Sequence, residues 1–177
     1  MNSLNIVLTY RYISTLVTLT WADILFGINH GILNIEAAVA HAVASLETEE
    51  NPSQEIIDLA WLTEGESIHP YIDELINLEP VQDEQEIKEK FLYVLLNWVY
   101  EHKETYEDPL GTVEYIYADF NYPVEMSSFI KYMPSNHPDL GSLELNKQHL
   151  LHNWKNYLNA QKKKFGETYN GRGHGYD

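Results

Sequence analysis

Cysteine is absent from all 177 residues, so no disulfide framework, thiolate metal site or thiol nucleophile is available. That suits a reducing compartment. Long apolar runs are missing too: no stretch reaches about eighteen uninterrupted apolar residues, and no transmembrane helix is expected. The opening segment, MNSLNIVLTYRYISTLVTLTW, lacks a basic leading region, and Arg11 interrupts its apolar residues, so it does not read as an export signal. A soluble, cytoplasmic protein is the expectation. The third scarcity is positive charge. Lys and Arg number 11 against 27 Asp and Glu, a formal net charge of −16. Between Tyr12 and Ile87 there is no Lys or Arg but there are fifteen acids, whereas residues 88–177 carry ten basic and twelve acidic side chains. Nearly all of the net charge therefore belongs to the first half. Such a field repels nucleic acid and anionic membranes and speeds encounter with a basic partner. The same acidity is also an ordinary means of staying soluble.

What is present is a helical pattern. Thr20 and Asp23 have capping-box spacing ahead of WADILFGINHG, and Gly31 marks that helix's end. Asn34 is placed to cap IEAAVAHAVASLETE, whose alanines predict close approach to a neighbour. Asn51-Pro52 reads as cap and first-turn proline of a helix reaching Glu64. Pro70 opens YIDELINLE, and Pro80 limits it. Asp83 caps the strongest helix, in which Ile87, Phe91, Val94, Leu95, Trp98 and Val99 form one stripe and Leu92 and Leu96 widen it. Asp108-Pro109 starts another, Pro123 a further one over VEMSSFIKYM, and Ser142 the last, with Lys162, Lys163 and Lys164 in its final turn and Gly166 at its end. Residues 4–19 alternate loosely and read as either a strand or a short helix. The expectation is an all-α fold of six to eight helices packed as successive antiparallel pairs. It forms a single domain over residues 1–166, with 167–177 a disordered, Gly-rich tail.

The densest local signal is YADFNYP at residues 117–123. Tyr117 and Phe120 continue an apolar face, Asn121 and Tyr122 form a joint, and Pro123 starts the next helix, because the residue before a proline avoids the helical region. Asp119 and Tyr122 are left over and become candidates for a contact surface.

Signatures of chemistry are few. His149 and His152 sit three apart and share a helix edge, but zinc wants at least a third ligand, for which His137 is the nearest choice. Glu66 and His69 match the Glu-x-x-His spelling of carboxylate-bridged metal sites, yet they lie as a single copy between Gly65 and Pro70, where a helix is interrupted. The glycines from Gly171 to Gly175 precede only Tyr176 and Asp177, so they are not a phosphate loop. No nucleophile elbow occurs. No metal, cofactor or catalytic group is therefore implied.

Several runs carry a family likeness: Leu95–Trp98, Tyr106–Leu110 (YEDPL), Ile116–Phe120 (IYADF), Tyr132-Met133-Pro134, and the earlier TWADILFGINHG. Through them the chain resembles the bacterial family named domain of unknown function 2247, over most of residues 20–160. The resemblance implies a small helical bacterial protein and supplies no catalytic residues. Proteins of this general kind often serve as immunity proteins beside secreted toxins. Charge and resemblance together lead to a non-catalytic acidic binding protein. Its expected role is an immunity-type inhibitor that occludes a basic partner such as a nuclease toxin. The expected contact residues are Glu47, Glu49 and Glu50 at a helix end and Glu64 and Glu66 across the next turn, with Asp119 and Tyr122. The alternative is a structural or regulatory interaction protein, as a homodimer and unrelated to toxins.

Overall fold

The computed structural model describes residues 1–134 and 139–170. The chain is all-α. Its elements are α1 (Tyr10–Ser14), α2 (Trp21–Asn29), α3 (Glu36–Thr48), α4 (Gln54–Ala60), α5 (His69–Leu78), α6 (Glu84–Glu101), α7 (Pro109–Asp119) and α8 (Leu143–Asn170), with 3-10 turns at Lys103–Thr105 and Val124–Phe129. They gather into two compact units, Asn5–Lys88 and Met1–Leu4 with Glu89–Asp177.

In the Asn5–Lys88 unit α3 packs on α2 and α4, and α5 packs on α2 and α4. Ala37, Ala38 and Ala42 are fully buried, so the alanines do bring α3 close to its neighbours. Residues 4–19 resolve into the short helix α1 and one isolated bridge, Leu8 to Leu33, in which the Leu8 N–H donates to the Ile32 carbonyl at 2.8 Å. α2 begins on the expected box: the Asp23 N–H donates to Thr20 Oγ1, and the Thr20 N–H donates back to Asp23 Oδ2. The Glu79 carboxylate also accepts the Trp21 N–H, at 3.0 Å, which puts a negative group against the positive end of α2. Two starts differ from expectation. Ser53, not Asn51, caps α4, which ends at Ala60. α3 has no side-chain cap, since Ile35 rather than Asn34 is its first flanking residue.

The other unit is built on α6, whose residues Phe91–Leu96 are all buried. On α8 the indole of Trp154 is fully buried, edge-on to Tyr100 at 5.0 Å and parallel to Phe129 at 6.3 Å. The VEMSSFIKYM segment holds no α-helix: Val124–Phe129 form a 3-10 turn and Ile130 is extended. Its two anchors, Met126 and Phe129, are both fully buried and lie three residues apart, a spacing that eclipses on a three-residue turn. Ser142 does cap α8, accepting the Leu145 N–H. α8 itself runs through Gly166 to Asn170, so Lys162–Lys164 fall before its last turn. Lys164 instead pairs with Glu89. Residues 171–177 of the tail and His137 lie outside the described residues.

Candidate functional site

The boundary between the units coincides with the break in charge. Asn5–Lys88 holds fifteen acidic side chains and two basic ones, Arg11 and Lys88, a net of −13. Lys88 is engaged by Glu84 at 2.6 Å. Most of the carboxylates of this unit therefore have no cation of their own to face, and the unit as a whole presents a negative field.

The expected contact residues divide between the units. Glu47, Glu49 and Glu50 are exposed at the end of α3, where Glu49 is the last flanking residue and its backbone is extended. Glu64 and Glu66 are exposed in the turn after α4. Glu66 is tied down there: it accepts the Thr63 N–H at 2.8 Å and the Thr63 hydroxyl at 2.6 Å, and these bonds hold its carboxyl below the ordinary range. The remaining four carboxylates are the more available set. Between the two segments lies Trp61, at the end of α4 and 79% exposed. Sequence reading passed over it. An exposed tryptophan is costly to leave in water and is enriched among residues that dominate binding energy. Its indole face also attracts cations. The legible signal was its position: Trp61 falls off the spacing that buries Ile56 and Leu59.

Asp119 and Tyr122 belong to the other unit and have structural employment. Asp119 Oδ2 accepts both the N–H and the hydroxyl of Ser3, at 2.7 and 2.9 Å, fastening the first residues to α7. Tyr122 closes the end of α7. The Asn121 N–H donates to the Ala118 carbonyl and the Tyr122 N–H to the Tyr117 carbonyl, with Asn121 and Tyr122 both left-handed at φ 61° and 60°. This is the Schellman arrangement, and the usual hydrophobic contact accompanies it: the Tyr122 ring stands edge-on to Tyr117 at 5.2 Å. YADFNYP is thus a helix terminator first.

His149 Nε2 accepts from Asn153 at 3.2 Å, and Asn153 donates as well to the Ser128 carbonyl. Among the described residues no group of three or more His, Cys, Asp or Glu is placed to hold a metal ion. No helix among them is long and apolar enough to cross a membrane.

With this geometry in place, comparison with known proteins is informative at the level of family. Residues 10–162 match the model of the family described as an uncharacterized protein conserved in bacteria, DUF2247. The chain belongs to that family. No curated protein matches it, and no solved structure does. The DUF2247 match spans α1 through most of α8, so it takes in Trp61, the acidic segments and the Schellman end of α7 alike.

Proposed function

We propose that this chain is a non-catalytic, cytoplasmic binding protein of the immunity type, which occludes a basic protein partner such as a nuclease toxin. The observation that carries the reading is the confinement of the negative charge to one compact unit, a net of −13 over Asn5–Lys88. The contact residues in this reading are Glu47, Glu49, Glu50, Glu64 and Glu66 with the exposed indole of Trp61, all within the Asn5–Lys88 unit. The carboxylates steer and orient the partner, and the indole supplies apolar contact and a face for a cation.

A second reading has its own support. Leu78 and Val81 are exposed in the same unit, at 71% and 102%, alongside Trp61. These residues suit a structural or regulatory homodimer unrelated to toxins.

The test is capture of partners by tagged protein from lysate of the bacterium that carries the gene, at about 50 and about 500 mM salt. The expected result is one stoichiometric basic protein, weakened at high salt, lost from the Glu47→Lys, Glu49→Lys, Glu50→Lys variant and from Trp61→Ala. Clean lanes at both salts, with a dimer by light scattering that Trp61→Ala dissociates, would replace this reading with the homodimer.

A further inference from the structure

α8 reverses the charge pattern of Asn5–Lys88. Residues 145–166 hold five lysines and no Asp or Glu. Two of the five have a carboxylate near them: Lys164 pairs with Glu89, and Lys147 lies within the field of Asp108. The other three, Lys155, Lys162 and Lys163, are exposed and engage no carboxylate among the described side chains. They fall at i, i+7 and i+8, so they share one side of the helix, while Trp154, Leu158 and Phe165 anchor another in the core.

The acidic surface is the converse. Glu47, Glu49, Glu50 and Glu64 are exposed, and their carboxylates accept no hydrogen bond and form no ion pair among the described residues. Trp61 stands exposed between them in sequence, and its indole face suits a lysine ammonium. Two effects decide how copies of such a chain can meet. Chains of net charge −16 repel at long range, but a Debye length of about 8 Å at 0.15 M salt leaves only facing side chains to interact. A symmetric contact sets either surface against itself, lysine on lysine or carboxylate on carboxylate. Only a head-to-tail approach sets opposite charges together.

We infer that α8 of one copy docks, through Lys155, Lys162 and Lys163, on the acidic segments about Trp61 of a second copy. Both halves of the contact are exposed, unpaired and carried by this one chain, which favours a second copy over an unrelated polyanion. The contact is heterologous: each copy offers α8 to one neighbour and its carboxylates to another, so association continues past the dimer. Exposed ion pairs are individually weak, so the Kd is on the order of 0.1 mM and is sensitive to salt. The regulatory consequence rests on the basic-partner reading: copies joined in this way cover the carboxylates that such a partner takes, and the partner must displace α8 to bind. The self-contact needs the purified chain alone, so its failure and the failure of that reading are separate results.

Sedimentation equilibrium of the purified, nucleic-acid-free full chain tests it, at about 10 to about 500 µM protein and about 0.15 M sodium chloride. The weight-average mass should rise with concentration beyond that of a dimer and return to that of the monomer at about 0.5 M salt. Lys155→Glu, Lys162→Glu, Lys163→Glu together, and Glu47→Lys, Glu49→Lys, Glu50→Lys together, should each leave the chain monomeric across the range. The second variant is the more telling, because it makes the chain less negative and so weakens general repulsion. An equimolar mixture of the two should associate again, since each supplies the surface that fits the other. If circular dichroism shows either reversal to be unfolded, Gln substitutions at the same positions take its place and should weaken association at least about fivefold. A monomer at every concentration overturns the proposal, as does a plateau at the dimer, undiminished association in either variant, or a mixture that stays monomeric. Association that appears only on adding a short duplex overturns it in favour of a nucleic-acid surface on α8.

Discussion

His41 on α3 lies with Nδ1 3.1 Å from the Tyr10 hydroxyl and its ring edge-on to Trp21 at 4.4 Å. Burial lowers its pKa from the ordinary 6.5 to about 4. The unfolded chain therefore takes up a proton here, between pH 6.5 and about 4, that the folded chain refuses. This contribution to stability is accordingly complete above pH 6.5 and is lost as pH falls toward 4, by on the order of 2–3 kcal/mol. Urea unfolding at about pH 7.5 and about pH 5 should show the loss, and His41→Phe, which keeps the aromatic packing but cannot titrate, should remove most of it. An unchanged slope in the variant would assign the acid sensitivity to carboxylates instead. Two other histidines act as helix ends: His30 and His102 each donate from Nδ1 to the carbonyl four residues back, at 2.9 and 2.8 Å, with the ring stacked on Phe26 and Trp98 respectively. Sequence reading weighed His149 and His152 as metal ligands or as surface or boundary residues, and did not weigh His30 or His102. An aromatic four residues before a histidine at a helix end was the pattern to read.

At the scale of elements, punctuation was legible and helix type was not. Gly31, Pro70, Asp108-Pro109 and Ser142 all mark boundaries that the structure keeps, because each acts through backbone geometry or one local hydrogen bond. The 3-10 turn at Val124–Phe129 was misread because its form is dictated by which two side chains are buried, a fact outside the segment. The acidic segments were visible as charge, whereas the exposure of Trp61 was written only in its position off the spacing that buries Ile56 and Leu59. α2 and α7 share one terminator. In α2 the Ile32 N–H reaches the Gly27 carbonyl and the Gly31 N–H reaches that of Ile28, with Gly31 at φ 66°, where α7 uses Asn121. A Cβ on Gly31 would meet nothing within 4 Å, so Gly31→Ala should destabilise by backbone conformation alone, about 1 kcal/mol. Asn121→Gly should do the reverse and add about 0.5 kcal/mol, because it relieves the left-handed residue without touching the Tyr122–Tyr117 contact. Chemical denaturation of both variants checks the pair. A neutral Gly31→Ala would mean that α2 ends in some other way.

For the whole molecule the decisive quantity is the charge of Asn5–Lys88. Two Lys or Arg residues face fifteen acidic ones there, an excess of thirteen negative charges within the unit. Net self-repulsion opposes the compact state, and added salt screens it, the Debye length falling from about 30 Å at 0.01 M to about 8 Å at 0.15 M. Surface ion pairs respond oppositely, but here Arg11 and Lys88 allow too few to compete. The melting temperature should therefore rise by a few degrees (roughly 2–5 °C) between about 10 and 300 mM sodium chloride. In the Glu47→Lys, Glu49→Lys, Glu50→Lys variant the low-salt melting temperature should be higher and the rise smaller. That triple variant separates two explanations of the acidity. If the carboxylates served solubility alone, reversing three of them would leave partner capture untouched. If they form the contact surface, the variant gains low-salt stability and loses its partner together. Stability sacrificed locally is then the signature of a surface kept for binding. A melting temperature that falls with salt would show instead that ion pairs, such as Lys131–Asp108 and Lys164–Glu89, outweigh self-repulsion in the stability of the chain.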